Sequence, residues 1–229
     1  MQTRHHTITI DGPAGAGKGV VSALLAERLD FTRLDTGAMY RAVALHALRQ
    51  GFEPSENMVK RHLEDRLQLL LSGIDIAING KCVRLNGEDV SQTIRTPEVS
   101  MAASFISQFA CVRQKLTELQ REIARTTDLV AEGRDMGTVV FPHAQYKFFL
   151  TAKPEIRAKR RWLQLKDQGV EMDFHVVLRE IQQRDEADSS RQIAPLAMAA
   201  DAILVDSSYM EVEEVANTMY KHVKQLIPT

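Results

Sequence analysis

Apolar and polar residues alternate from Ile8 to Asp11, the signature of a strand. A glycine-rich turn follows. From Lys18 to Leu29 the apolar positions Val20, Val21, Leu24 and Leu25 fall at helical spacing. Phe31–Asp35 is short and partly apolar, a second strand, and a helix from Thr36 runs to about Arg49, with Thr36 as its cap and Gly51 as its stop. Met58, His62, Leu63, Leu67, Leu70 and Leu71 predict a helix over Ser55–Leu71. The period then changes: residues 74–87 alternate around Asn79-Gly80, a strong hairpin signal. Helical spacing returns over Glu98–Ile106 and Val112–Arg125. Buried-looking strands follow at Asp128–Ala131 and Tyr146–Leu150, helices at Pro154–Gln168 and Asp173–Gln192, a last strand at Ala202–Val205 and a closing helix at Met210–Ile227. Strands alternating with helices predict an α/β fold with a parallel sheet. The hairpin inside that order marks an insert over about 55–105.

The length of 229 residues suits one α/β domain with such an insert. Charged residues make up 26% and hydrophobic ones 44%, an ordinary soluble composition. A net charge of −1, with basic residues interleaved among acids, argues against a nucleic-acid or membrane-surface partner. Cys82 and Cys111 have no metal-ligand or redox spacing, so both are expected as free thiols in a reducing compartment. There is no secretory leader pattern and no run of about 20 apolar residues. A cytoplasmic protein is expected. No sustained heptad or exposed apolar face argues for a dimer, which leaves a monomer as the default.

The candidate chemistry starts in the glycine-rich turn. Gly12 and Gly17-Lys18 stand at the G-x-x-x-x-G-K spacing of a phosphate loop, after a strand and before a helix, as that motif requires. Gly12, Gly15 and Gly17 let the backbone curl so that N–H groups converge on a phosphate, with Pro13, Ala14 and Ala16 between them. The helix start adds free donors and the positive end of its dipole, and Lys18 adds a mobile full charge. Gly19 stands where Ser or Thr usually supplies a hydroxyl to Mg²⁺, and Val20 follows it. The ordinary alternative, a bare glycine turn, seldom carries a lysine at this place.

Two further stretches are informative. Tyr40 and Arg41 lie one turn into a helix start, either an anion site or a surface arginine beside a packing tyrosine. Glu132-Gly133-Arg134-Asp135 ends a strand where open α/β sheets bind ligands. There Glu132 can position Mg²⁺ through water and Arg134 can clamp a phosphate, against the plainer reading of a salt-bridged turn. The helix bearing Arg157, Lys159, Arg160 and Arg161, with its neighbour bearing Arg179, Arg184, Asp185, Asp188 and Arg191, is either a solvated charged face or a lid. Trp162 is expected to pack rather than to bind a base.

At this point the residues resemble a known family. The segments ITIDGPAGAGKG (8–19), LDTGAMYRAVAL (34–45), NGEDVSQTIRTPEV (86–99), AEGRDMGTVVFP (131–142), QQRDEADSSRQIAPL (182–196) and ADAILVDSS (200–208) are similar to those of bacterial-type cytidylate kinases, nucleoside monophosphate kinases of the P-loop kinase class. They lie in order and span nearly the whole chain. The third and fourth are the selective ones and separate the family from adenylate and shikimate kinases.

The resemblance implies one P-loop kinase domain over 1–229, a three-layer fold with a five-stranded parallel sheet. It implies a core of 1–35, 128–152 and 171–229, a monophosphate-binding region of 36–127 holding the insert and its small antiparallel sheet, and a short lid at 153–170. It implies phosphoryl transfer from ATP to CMP or dCMP, with Mg²⁺ entering with the donor. ATP would meet Gly12, Pro13, Ala14, Gly15, Ala16, Gly17, Lys18, Gly19 and Val20. From the lid, Arg157 and Arg161, one turn apart on one face, are favoured over Arg160. Ser104, Arg113 and Asp135 would read cytosine. Arg184 and Asp188 would hold the ribose, and Arg41, Arg134 and Arg191 would clamp the acceptor phosphate, with Thr36 and Tyr40 shaping that site. Lys18, Arg134, Arg184 and Arg191 would carry the catalysis. Gly19 offers Mg²⁺ no oxygen, and Val20 replaces a threonine common in relatives. No direct protein ligand is therefore expected, and the metal is held by phosphates and water, with Glu132 or Asp11 behind the water. Two alternatives stay open: a P-loop kinase for another small acceptor such as UMP, and a nucleotide-dependent switch without transfer. The absence of an N-K-x-D motif counts against a GTPase-type switch.

Overall fold

The computed structural model describes residues 5–54, 60–80, 82–167 and 169–224. In chain order the elements are β1 (Thr7–Asp11), α1 (Lys18–Leu29), β2 (Thr32–Asp35), α2 (Thr36–Arg49), α3 (Lys60–Leu71), β3 (Ile76–Asn79), β4 (Cys82–Leu85) and β5 (Glu88–Asp89). Then come α4 (Pro97–Ile106), α5 (Ala110–Ala124), β6 (Leu129–Gly133), β7 (Tyr146–Thr151), α6 (Pro154–Asp167), α7 (Phe174–Ser190), β8 (Ile203–Asp206) and α8 (Val212–Lys224). The start of the helix expected from Ser55, the Gln168 end of α6 and the Ile227 end of α8 lie outside the described residues.

The main sheet has five strands in the order β2-β6-β1-β7-β8. β1 runs parallel to both β6 and β7, and β7 parallel to β8. Every residue of β1 and β6 is buried, as expected for central parallel strands covered on both faces. Ile8, Ile10, Val130, Phe148, Leu150 and Val205 from the sheet share one apolar cluster with Val21 and Leu25 of α1 and Val215, Met219 and Val223 of α8. β1 sits between strands reached by opposite excursions of the chain. The loop after it therefore lies at a switch point, at the carboxyl ends of the strands, where such sheets bind ligands.

Residues 1–33 with 127–229 form one compact unit, and 34–126 form another. In the second unit, α2 packs on α4 and α3 on α5. The expected hairpin is there, with Ile76 paired to Leu85 and Asn79 to Cys82, and the short strand β5 extends it to three antiparallel strands.

Local chemistry corrects three details. The cap of α2 is Asp35, not Thr36: its side chain accepts from the Ala38 N–H at 2.9 Å, and Thr36 is already helical. α4 begins at Pro97, preorganised for a first helical position, behind the Thr96 cap. Met136–Val140, which carries no helical signature in the sequence, winds as one π-helical turn.

Candidate active site

The loop from Gly12 to Gly17 joins β1 to α1. Gly12 has φ +149°, and a Cβ there would stand 1.9 Å from the Leu150 carbonyl oxygen, so only glycine lets the loop pass the end of β7. The loop's carbonyls face protein donors. Lys18 Nζ donates to Gly12 O at 2.7 Å and Pro13 O at 2.8 Å. Arg157 Nη1 donates to Ala14 O at 3.0 Å, and Ser207 Oγ to Ala16 O at 3.3 Å. In a trans peptide the N–H opposes the C=O, so carbonyls held outward leave amides turned inward. The start of α1 adds donors, because its cap, Gly17, brings no side chain to satisfy them. Lys18 is buried, and its ammonium titrates well below the ordinary lysine range, first from burial and then from the nearby Arg134 charge. Val20 is 56% exposed.

Asp11, at the end of β1, is buried and accepts from the Met136 N–H at 2.8 Å through Oδ1 and the Gly137 N–H at 2.7 Å through Oδ2. Burial pushes its carboxyl up to about 6, although both hydrogen bonds favour the charged form. Its oxygens thus hold the backbone just beyond Arg134-Asp135. Glu132, at the end of β6, accepts from Ser22 Oγ at 3.0 Å and pairs with Arg33. Both Glu132 oxygens lie 3.7 Å from the place a Cβ on Gly19 would take.

The strand-end turn and the end of α7 come together. Arg134 Nε donates to Asp188 Oδ2 at 2.7 Å. Arg191 lies 3.7 Å from a carboxylate oxygen of Asp188 and 3.7 Å from one of Asp135. Asp188 ionises more readily than an ordinary aspartate: burial opposes this, but the charges of Arg134, Arg184 and Arg191 outweigh it. Arg184 is exposed, and its charge acts on both Asp188 and Lys18. The structure therefore gathers Arg134, Asp135, Asp188 and Arg191 into one alternating charge cluster.

α6 and α7 share their own apolar contact through Ala158, Leu165, Val177 and Ile181. Trp162 packs against it and donates Nε1–H to Met172 O at 2.9 Å, so the single tryptophan is spent on packing. The three arginines of α6 part company. Arg157 is buried, with its guanidinium on Ala14 O, Ala152 O and the Asp185 carboxylate. Arg160 donates to Ser207 Oγ and Ser207 O at 3.1 and 2.6 Å. Arg161 is exposed and donates to Gln164, on its own helix, at 2.9 Å.

Within the second unit, Thr36 is buried at the first position of α2. Arg41 Nη2 lies 3.3 Å from Asp35 Oδ2, so the acid that caps the helix also tethers the arginine, and Arg41 Nε is buried without a hydrogen-bond partner. Arg113 is buried in α5, donates to Ser107 O at 3.1 Å, and stacks its guanidinium 5.6 Å from the centre of the Tyr40 ring. Half-buried Ser104 lies on α4. Its carbonyl accepts from Ser107 Oγ at 2.7 Å. Ser104 and Arg113 thus flank the short link between α4 and α5.

Sequence reasoning missed several contributors. Arg33 neutralises Glu132, Ser22 joins that pair, Ser207 braces the phosphate loop, and Asp185 receives Arg157. Each is distant in sequence from its partner. Only Asp206-Ser207, standing at a strand end as the other site acids do, carried a local hint.

A backbone cradle with a buried lysine, backed by arginines balanced against acids, is chemistry suited to phosphate. By class, this is a P-loop phosphotransferase. The cytidylate kinase family model matches residues 8–225. A cytidylate kinase from Caldicellulosiruptor bescii is 45% identical over 225 residues, covering 95% of this chain and 96% of that one. One from Caldicellulosiruptor saccharolyticus is 47% identical over 212 residues, covering 91% of each. One from Pseudomonas paraeruginosa is 45% identical over 224 residues, covering 95% of each. The chain belongs to the cytidylate kinase family.

Proposed function

We propose that this protein moves the γ-phosphoryl group of ATP onto the phosphate of CMP or dCMP, giving ADP and CDP or dCDP. The observation that carries the reading is the phosphate loop with buried Lys18 beside the Arg134–Asp188–Arg191 cluster, in a chain that belongs to the cytidylate kinase family.

An acceptor phosphate is already ionised near neutral pH, so the reaction needs alignment and charge stabilisation rather than a strong base. Gly12, Pro13, Ala14, Gly15, Ala16 and Gly17 supply the cradle for the donor's phosphates, with Gly19 and Val20 at its rim. Lys18 leaves two carbonyls for the donor's outer phosphates, whose negative charge restores the proton that burial disfavours. Arg134, Arg184 and Arg191 neutralise charge on the moving group. Arg41, with its unspent buried Nε, clamps the acceptor phosphate, and Thr36 and Tyr40 shape its surroundings. Asp188 and Arg184 hold the ribose. Exposed Arg161 is the lid arginine free to turn toward the donor.

Ser104, Arg113 and Asp135 are assigned to cytosine on the family pattern and on their chemistry. Asp135 accepts from the amino group, and the other two donate to the base's acceptors. Uracil would set a carbonyl against the acid, a mismatch of about 1–3 kcal/mol. Mg²⁺ fits as a companion of the donor. Gly19 offers no hydroxyl and Asp11 is committed to backbone N–H groups, so the donor's phosphates and water would hold the ion, and Glu132 beside Gly19 would accept from that water. When bound, the ion would supply positive charge to the donor's phosphates. Among the described residues no helix is long and apolar enough to cross a membrane, and we place the enzyme in the cytoplasm as a monomer.

Asp135→Ala tests the acceptor assignment. It should raise the KM for CMP at least tenfold and narrow the preference over UMP, while leaving ATP binding within about twofold. Equal losses for both substrates, or an untouched CMP KM, would remove Asp135 from base reading.

A further inference from the structure

Arg157 and Asp185 lie in a place that the transfer reaction as described does not use. Arg157 is 4% exposed and makes three separate contacts. Nε donates to Ala152 O at 2.8 Å, and Nη1 donates to Ala14 O at 3.0 Å and lies 2.7 Å from Asp185 Oδ2. A Cβ on Gly15 would come 3.1 Å from Arg157 Cβ, so the missing side chain seats α6 directly on the phosphate loop. Asp185 belongs to α7, the helix that also carries Arg184 and Asp188. Its Oδ1 is buried and accepts no hydrogen bond.

We infer that the Asp185–Arg157–Ala14 link is a positioning device that makes donor and acceptor binding cooperative. The inference rests on the donor and acceptor roles proposed above. The Ala14 peptide is part of the cradle, and a peptide plane turns as a unit. When phosphates tighten on the loop's inward-facing N–H groups, any tilt of the Ala14 peptide plane moves Ala14 O and with it the guanidinium anchored on it. Asp185 follows the guanidinium, because Arg157 is buried and Asp185 half-buried, and stripping a buried guanidinium of its carboxylate is costly. α7 then moves as a helix, and Asp188, one turn from Asp185, moves with Arg134 in its grip. The open Oδ1 gives the pair room to become a two-point fork, which fixes orientation as well as distance. The same chain of contacts runs in reverse, so CMP on α7 orders the donor loop, as linkage requires.

The test is binding calorimetry on the full chain, using Mg²⁺ with an ATP analogue whose β–γ bridge is nitrogen. The analogue is titrated into free protein and into protein saturated with CMP. The ratio of the two dissociation constants is the coupling factor. In the wild type the analogue binds about fivefold or more tightly with CMP present. In Asp185→Asn and in Arg157→Lys the factor falls to within about twofold of one, and the double variant falls no further, as for residues acting through one contact. Melting temperatures are recorded alongside, since a purely structural role would move those and leave the factor alone. Three results would overturn the link: no coupling in the wild type, an unchanged factor in both variants, or a loss of analogue affinity in Arg157→Lys that Asp185→Asn does not share. The last would make Arg157 a direct phosphate contact. A wild type that fails to bind CMP at all would remove the acceptor assignment itself.

Discussion

Two charged side chains at the loop do opposite things with their burial. Lys18 is buried against two loop carbonyls and its charge is disfavoured by burial; on the proposed mechanism an incoming phosphate restores that charge. Lys18→Met keeps the length and removes the charge. It should leave the melting temperature near the wild-type value and lower kcat about 10²–10³-fold, the cost of removing a preorganised donor, as measured in steady-state kinetics. Asp11 is buried against backbone N–H groups it cannot leave. Asp11→Asn turns an amide donor toward one of those N–H groups and should cost about 1–3 kcal/mol in urea unfolding. The pH dependence has a definite sign. The folded pKa of about 6 lies above the ordinary aspartate value of 3.8, so native Asp11 holds its proton where the unfolded chain has released it. Its contribution to stability is full below pH 3.8 and is lost as pH rises through 6. The stability gap between wild type and Asp11→Asn should therefore narrow by about 2 kcal/mol from pH 4.5 to pH 7.5. A gap that widens would mean that the two N–H donors outweigh burial.

At the scale of elements, the period of the apolar residues predicted what it controls. β1, α1 and the β3–β4 hairpin follow directly from alternation, helical spacing and Asn79-Gly80. Boundaries that depend on one side chain did not. Thr36 and Asp35 are both good caps by type, and only the Asp35 contact to the Ala38 N–H decides between them. The π-helical turn at 136–140 has no periodic signal, and its first two N–H groups are held by Asp11, more than a hundred residues away. The same holds for the candidate site. The phosphate loop and the Glu132–Asp135 turn are legible as short motifs, whereas Arg33, Ser207 and Asp185 show their parts only when distant strand and helix ends meet. One prediction belongs to the start of α2, where Asp35 both caps the helix and tethers Arg41. Asp35→Ala should lower stability by about 1 kcal/mol in thermal unfolding. It should also raise the CMP KM more than the ATP KM. A stability loss with both KM values unchanged would leave Asp35 as a cap only.

The whole molecule has one unit built on the parallel sheet and a second unit with its own helices and a small antiparallel sheet, in a chain that belongs along its length to the cytidylate kinase family. The parallel sheet brings the ends of β1 and β6 to one side, so the cradle and the arginine–acid cluster arise next to each other without long loops. The central claim is that this arrangement transfers phosphate to a cytosine nucleotide. The most direct measurement is ADP release with ATP and Mg²⁺ against CMP, dCMP, UMP, AMP and shikimate at matched concentrations. Rapid turnover with CMP and dCMP, and at least tenfold less with the others, is the predicted result. Faster turnover with another acceptor would contradict the cytosine roles of Ser104, Arg113 and Asp135, and no turnover with any of them despite ATP binding would contradict phosphoryl transfer itself.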